Sequence, residues 1–452
     1  MTATTTQPPP PPPAVPRRPG LLRGALPRRA QATTPQLIAL GMVVIVVAAL
    51  AWGAIGTWTV IEHASAASDV VHVNEPLSLE ARQLYLSLSD ADVTATTAFL
   101  SGPAVPLPTR QHYQADIAQA GADLSALTAA ASPGDQKLAA SLQAVASSLP
   151  VYTSYVSEAQ SDYALGYQLT GGSFMQVASE EMHLRLLPAA GTIDSLENAD
   201  LAARTAQATG LPWIIVMLVL SLCLAVGLYR LQRWLSRRTR RTVNFGLLAA
   251  SVGLVIAGVW LLVSFLVARS DLQSAEVHGS SPVQSLAQAT ITIQRARGDE
   301  VLNLISRSGS TSFEADFNAD VRQVATGHST LLATAAAASA GSKAAAPIAA
   351  ASGDARAWYA ASGRVLSLDL AANYAAETSL VIGTGRGSSA ADFSRLESDL
   401  TTAIAADQAV FSKGASAGSG AFGGLDIAVV VAALLMAAGS AWGLGRRLGE
   451  YR

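Results

Sequence analysis

Two apolar runs, Leu211 to Leu228 and Phe245 to Val267, enclose the segment Tyr229 to Asn244, which carries six arginines and no acid. At about 1.5 Å per residue each run is long enough to cross roughly 30 Å of hydrocarbon. A soluble domain has no easy place for uncharged stretches of this length on both sides of a basic loop. The pair reads as a transmembrane hairpin whose short arginine loop is retained in the cytoplasm. Further apolar runs lie at 37–61 and 425–445, so four spans are expected at 37–61, 211–229, 245–267 and 425–445. The composition agrees, since half the chain is hydrophobic and only 14% is charged.

Charge sets the expected topology. Residues 1–36, the hairpin 230–244 and the tail 446–452 together hold fourteen basic residues and one acid, Glu450. Residues 63–210 carry five basic and fifteen acidic residues, and 268–424 carry eleven and fourteen. Both termini are therefore expected in the cytoplasm, with 62–210 and 268–424 outside the plasma membrane. Residues 1–36, with prolines 8 to 13 and five arginines, read as a disordered cytoplasmic tail. Ala64-Ser65-Ala66 looks like a signal-peptidase site, but the preceding apolar run exceeds a signal core, so an uncleaved anchor is expected.

The outer segments have helical periodicity. Apolar stripes with alternating steps of three and four run from Leu77 to Ala98, Tyr113 to Leu127, Leu138 to Gly166 and Met175 to Leu196. Breakers separate them at Gly102-Pro103, Pro133-Gly134 and Gly171-Gly172. Four such stripes hung between two spans predict an up-down four-helix bundle, with Pro188 kinking its last helix. Residues 268–424 repeat the plan, with breaks near Gly309, Gly341 and Gly383 to Gly387. Tyr113-Gln-Ala-Asp-Ile117 echoes Phe313-Glu-Ala-Asp-Phe317, and Pro76 and Pro282 are each expected to open a first bundle helix. The fold class is an all-α membrane protein in which four transmembrane helices carry two extracytoplasmic four-helix bundles, arranged as tandem span–bundle–span units. The single cysteine, Cys223, lies in a span, so the outer domains must be held by packing rather than disulfides.

No phosphate loop, dinucleotide fingerprint, metal-spaced His/Cys cluster or nucleophile elbow is present. The six histidines are scattered along the chain. No catalytic, cofactor-binding or metal-ligating residue is assigned, and the chain is not expected to be an enzyme or to bind nucleic acid. The cytoplasmic pieces are too short to fold into a kinase or cyclase domain. The middles of the spans hold no ionisable side chain, which argues against ion-coupled transport.

Three groups of residues stand out as contacts. Arg230, Arg233, Arg237, Arg238, Arg240 and Arg241 with Trp234 suit either the lipid interface or an acidic partner surface. Leu231 and Leu235 extend Trp234 into an apolar strip beside them. Arg297 and Glu300 continue the apolar spacing of Val283, Leu286 and Ile293, which turns a charged pair toward a bundle seam, either as a ligand contact or as a salt bridge. Tyr152, Tyr155, Tyr163 and Tyr167 offer a pocket, an interface or simple core packing. Gly439 and Gly443 form a GxxxG pair suited to helix packing, and Ala249 with Gly253 is a similar small pair.

The segments Leu84-Tyr-Leu-Ser-Leu-Ser-Asp-Ala-Asp92, Phe99-Leu-Ser-Gly102, Ala296-Arg-Gly-Asp-Glu-Val-Leu-Asn-Leu304 and Phe313 to Phe317 carry a likeness. Through them the chain resembles the actinobacterial GlnX-like membrane proteins over most of its length, the proline tail excepted. The resemblance implies partners on both faces: a solute-binding lipoprotein (GlnH) outside and the soluble Ser/Thr protein kinase G inside. It implies a relay of amino-acid availability, chiefly aspartate and glutamate. Membrane lipids and a second copy of the chain are further expected partners. A direct chemoreceptor-like sensor and a non-switching envelope scaffold are the alternatives.

Overall fold

The structure, a computed structural model, describes residues 34–132, 134–239, 245–306, 311–325 and 329–449. The proline tail, Pro133, Arg240, Arg241, Gly309 and His328 lie outside them. Every regular element among the described residues is helical. The first half comprises α1 (Thr34–Asp69), α2 (Glu75–Leu100), α3 (Leu107–Ala130), α4 (Gln136–Ala164), α5 (Gln168–Glu181), α6 (Leu187–Ala208) and α7 (Pro212–Thr239). The second comprises α8 (Phe245–Ala275), α9 (Ser281–Ser306), α10 (Thr311–Ala325), α11 (Leu331–Ala338), α12 (Ala345–Leu370), α13 (Tyr374–Ile382), α14 (Ser389–Gly420) and α15 (Leu425–Gly449).

Four apolar helical stretches, within Ala39–Leu100, Gln168–Arg237, Phe245–Ser306 and Ser389–Arg446, are long enough to cross a membrane. They pack on one another around Ile45, Trp52, Met217, Leu247, Leu261, Phe265 and Met436. The Trp52 indole donates to Ser221 Oγ at 2.8 Å, which satisfies a polar pair inside apolar surroundings. Gly53 lies against Ala433 and Gly56 against Met217 and Val429, so α1 seats closely on α7 and α15. Gly439 and Gly443 face Gly246 on α8, where a Cβ would stand only 2.3 Å from the Gly439 carbonyl oxygen. The close small-residue contact on α8 is made by Gly246, while Ala249 of the other small pair is exposed and a Cβ at Gly253 would stand 3.9 Å from Met436.

The polar regions form two further cores. Leu84, Leu88, Leu142, Tyr152, Met175, Met182 and Ile193 gather α2, α3, α4 and the α5–α6 pair around one. Leu286, Ile293, Phe317, Leu332, Ile348, Trp358 and Leu400 gather α9, α10–α11, α12 and α14 around the other. The two sets of helices touch along α2 and α9.

Pro76 and Pro282 stand in the first turns of α2 and α9, as expected, but neither helix starts free. Each follows a π-helical turn inside an unbroken rod: Val70–Asn74 joins α1 to α2, and Glu276–Ser280 joins α8 to α9. Pro188 likewise follows the π turn Met182–Leu186 between α5 and α6. Proline has no N–H to donate and its ring clashes with the preceding turn, and a wider turn relieves both. Span and polar domain are therefore one mechanical element at α1–α2 and again at α8–α9, each rod roughly 90–100 Å long. The returning elements break: between α6 and α7 at residues 209–211, and between α14 and α15 at 421–424.

The basic segment also departs from a simple loop. α7 continues to Thr239, so Arg230, Arg233 and Arg237 lie exposed on a helix. Leu231, Trp234 and Leu235 keep the helical phase of Leu224 and Leu228 and pack on the core of the spans. Trp234 is half-buried there, which leaves part of its ring for lipid or a partner.

Candidate functional site

Arg297 is 2% exposed, and the hydrogen bonds of its two terminal nitrogens run within the second half. It donates to Glu300 Oε2 at 2.6 Å, to Ser389 Oγ at 3.1 Å and to the Val381 carbonyl at 2.9 Å, and it lies 5.6 Å from the Phe393 ring centroid. Glu300 also accepts from the Trp358 indole at 3.1 Å and from Ser389 at 2.6 Å. A buried ion pair persists when its remaining hydrogen-bonding capacity is met. The pair is thus a fastener joining α9, α12, α13 and α14, and the salt-bridge reading of the sequence fits its geometry.

Beside it lies a cavity of about 490 Å³ between α9, α10, α12 and α13. Asp299, Glu300, Glu314, Asp369 and Glu377 contribute carboxylates to its lining, and Phe313, Phe317 and Tyr359 contribute aromatic surface. Among the described residues no Lys, Arg or His lines it. Burial pushes Asp299 up to about 7, with His183 and Arg295 opposing and Asp316 and Asp320 adding to the rise. Burial, reinforced by Asp369, pushes Glu377 up to about 7.

The tyrosines separate rather than converge. Tyr152 is fully buried in the first core, where burial and then the Asp92 charge drive its phenol well upward. Tyr155 stacks on Phe174 with centroids 6.4 Å apart. Tyr163 meets Phe99 edge-on at 4.8 Å and helps line a cleft of about 890 Å³ between the two halves. Tyr167 is exposed at the turn between α4 and α5. It shares that turn with exposed Leu165 and Leu169, while Leu370 and Tyr374 stand exposed at the corresponding turn between α12 and α13. Leu169 and Tyr374 both border the cleft, so the two turns make one apolar tip away from the spans.

Two histidines scattered in sequence each meet aspartates in space. His183 Nε2 lies 3.3 Å from Asp92 Oδ2, which also accepts from Ser179 at 2.8 Å. Burial lowers the His183 pKa, but Asp92 and Asp299 outweigh it and the net shift is upward. His112 Nε2 lies 2.9 Å from Asp90 Oδ2 and 3.8 Å from Asp116 Oδ2. This trio could hold a divalent ion by composition, yet the imidazole is already paired, and its bond to Asp90 pushes it up to about 9.

Sequence reasoning singled out Arg297 and Glu300 but missed Asp92, Asp299 and Glu377. Asp299 was detectable in principle: Thr292, Ala296 and Asp299 follow helical spacing on α9, a helix buried on nearly every side although its composition is polar.

Four apolar helices bearing polar helical domains define a multi-pass membrane protein. Residues 66–206 match the family model of the actinobacterial sensor domain. The matched stretch runs from the end of α1 to α6 and, with the four spans, fits a sensor membrane protein. No curated protein and no solved structure matches the chain.

Proposed function

We propose that the chain relays an extracellular signal across the plasma membrane, from a solute-binding lipoprotein outside to a soluble Ser/Thr kinase inside. Aspartate and glutamate are the proposed solutes. The observation that carries this reading is that the sensor-matched helix α2 is continuous with the spanning helix α1. A shift of about 1–2 Å at an outer contact can therefore travel along a rigid rod rather than through a loop. The charge asymmetry of the segments supports cytoplasmic termini. The aromatic side chains support two membrane boundaries: Trp58 and Trp213, exposed and 5.3 Å apart, mark one, and exposed Tyr229 and Trp442 mark the other. The apolar tip of Leu165, Tyr167, Leu169, Leu370 and Tyr374 suits the outer partner, since an exposed patch of this kind is costly unless covered. Arg230, Arg233 and Arg237 suit the inner one. Catalysis in this scheme belongs to the kinase.

Crosslinking in intact membranes followed by mass spectrometry tests the relay. Recovery of both a solute-binding lipoprotein and a kinase is expected. Arg230→Gln, Arg233→Gln and Arg237→Gln together are expected to abolish the kinase's response to glutamate while leaving membrane insertion intact. An unchanged response would remove the basic helix from the mechanism, and recovery of neither partner would remove the relay.

A further inference from the structure

We propose that the cavity between α9, α10, α12 and α13 binds a small organic cation, an ammonium group attached to an apolar body. Asp299 and Glu377 are 5% and 3% exposed and accept no hydrogen bond among the described residues. Two largely buried acids without a hydrogen-bond partner are costly to ionise in a cavity whose described lining holds no base. A cation would supply what both lack. Phe313, Phe317 and Tyr359 add the apolar area and ring faces that hold an ammonium-bearing molecule. Glu300 takes little part, because Arg297, Trp358 and Ser389 already occupy it. The volume of about 490 Å³ falls in the usual range for small-molecule sites. An acidic amino acid is a poor occupant, since its carboxylates would meet five acids and no base among the described lining residues.

The pH response follows from the same groups. Asp299, facing His183, Arg295, Asp316 and Asp320, and Glu377, facing Asp369, both hold protons up to about pH 7. A bound cation favours their charged forms and releases those protons, so affinity rises with pH and levels off above about 8.

The proposal is independent of the relay and is tested by direct binding. Full-length protein in lipid nanodiscs is titrated calorimetrically at pH 8 with 2-phenylethylamine, 1,4-diaminobutane and tetramethylammonium, and with 2-phenylethanol and glutamate as controls. At least one of the amines is expected to saturate a single site per chain, and neither control is expected to bind. Asp299→Asn combined with Glu377→Gln is expected to weaken the amine about tenfold or more. The thermal midpoint should hold or rise, because each substitution removes a desolvated acid. Wild-type affinity should fall several-fold at pH 6. The assignment is overturned if no amine binds the folded chain, if the alcohol binds as well as the amine, or if the double variant binds unchanged.

Discussion

The Arg297 guanidinium illustrates how a charged residue at an apolar seam becomes structural. Truncating it leaves Glu300 buried among Trp358 and Ser389 with no cation. Arg297→Met is therefore expected to cost about 3–5 kcal/mol, and Glu300→Gln added to it should recover a large part. Thermal unfolding of the full chain in detergent measures both. The titrating residues outside the spans act in one direction. His112 binds its proton up to about pH 9 when folded, against 6.5 for the free side chain. Its stabilisation is complete below pH 6.5 and is lost as pH rises through about 9. Asp116, Asp299, Glu377 and Glu397 are each pushed up, chiefly by burial, to about 7. Unfolding lets these acids ionise near their ordinary values, so stability falls from about pH 4 to pH 7 on their account. The midpoint of thermal unfolding should be a few degrees higher at pH 5.5 than at pH 8.5. Asp116→Asn should narrow that gap, and a gap of opposite sign would contradict the assignment of these shifts.

At the scale of helices, much was legible before any coordinates. The stripes of Leu84, Leu88, Leu142, Val145 and Met182 are the first domain's core, because a buried stripe must follow the helical period. The four spans were legible for a similar reason, since apolar length has few other uses. What escaped was the behaviour of the joints. Proline in a sequence signals a helix end, yet at Pro76, Pro188 and Pro282 a π turn absorbs the missing donor, and neighbouring helices decide whether that is affordable. The cavity escaped too, because Asp299 on α9 and Glu377 on α13 are 78 positions apart and neither lies in a motif with a chemical signature. The GxxxG pair was read, but its counterpart Gly246 was not, because a single glycine carries no spacing signal. The contact is testable. Gly246→Leu must push α8 from α15 and should lower the thermal midpoint strongly, whereas Ala249→Leu, on an outward face, should change it little.

The whole molecule is two similar halves in one chain. α2 and α9 have the same length, 26 residues, and each is preceded by a π turn and a spanning helix. The halves are joined by α1 on α15, by α2 on α9, by the His183–Asp92 cluster beside Asp299, and by Glu75 of α2 accepting from Gln408 of α14 at 2.9 Å. Chains cut within residues 240–244 and co-expressed are accordingly expected to co-purify as a stoichiometric pair. Separate migration on size-exclusion chromatography would show that the covalent hairpin, rather than packing, holds them together. The pairing resembles a dimer in outline but escapes its symmetry. Identical subunits must carry every site twice, whereas these halves have diverged, and the acidic cavity lies in the second. With the proposed cation in that cavity, the chain takes one ligand molecule. Its response to concentration should follow a simple hyperbola with a Hill coefficient of about 1, graded rather than switch-like.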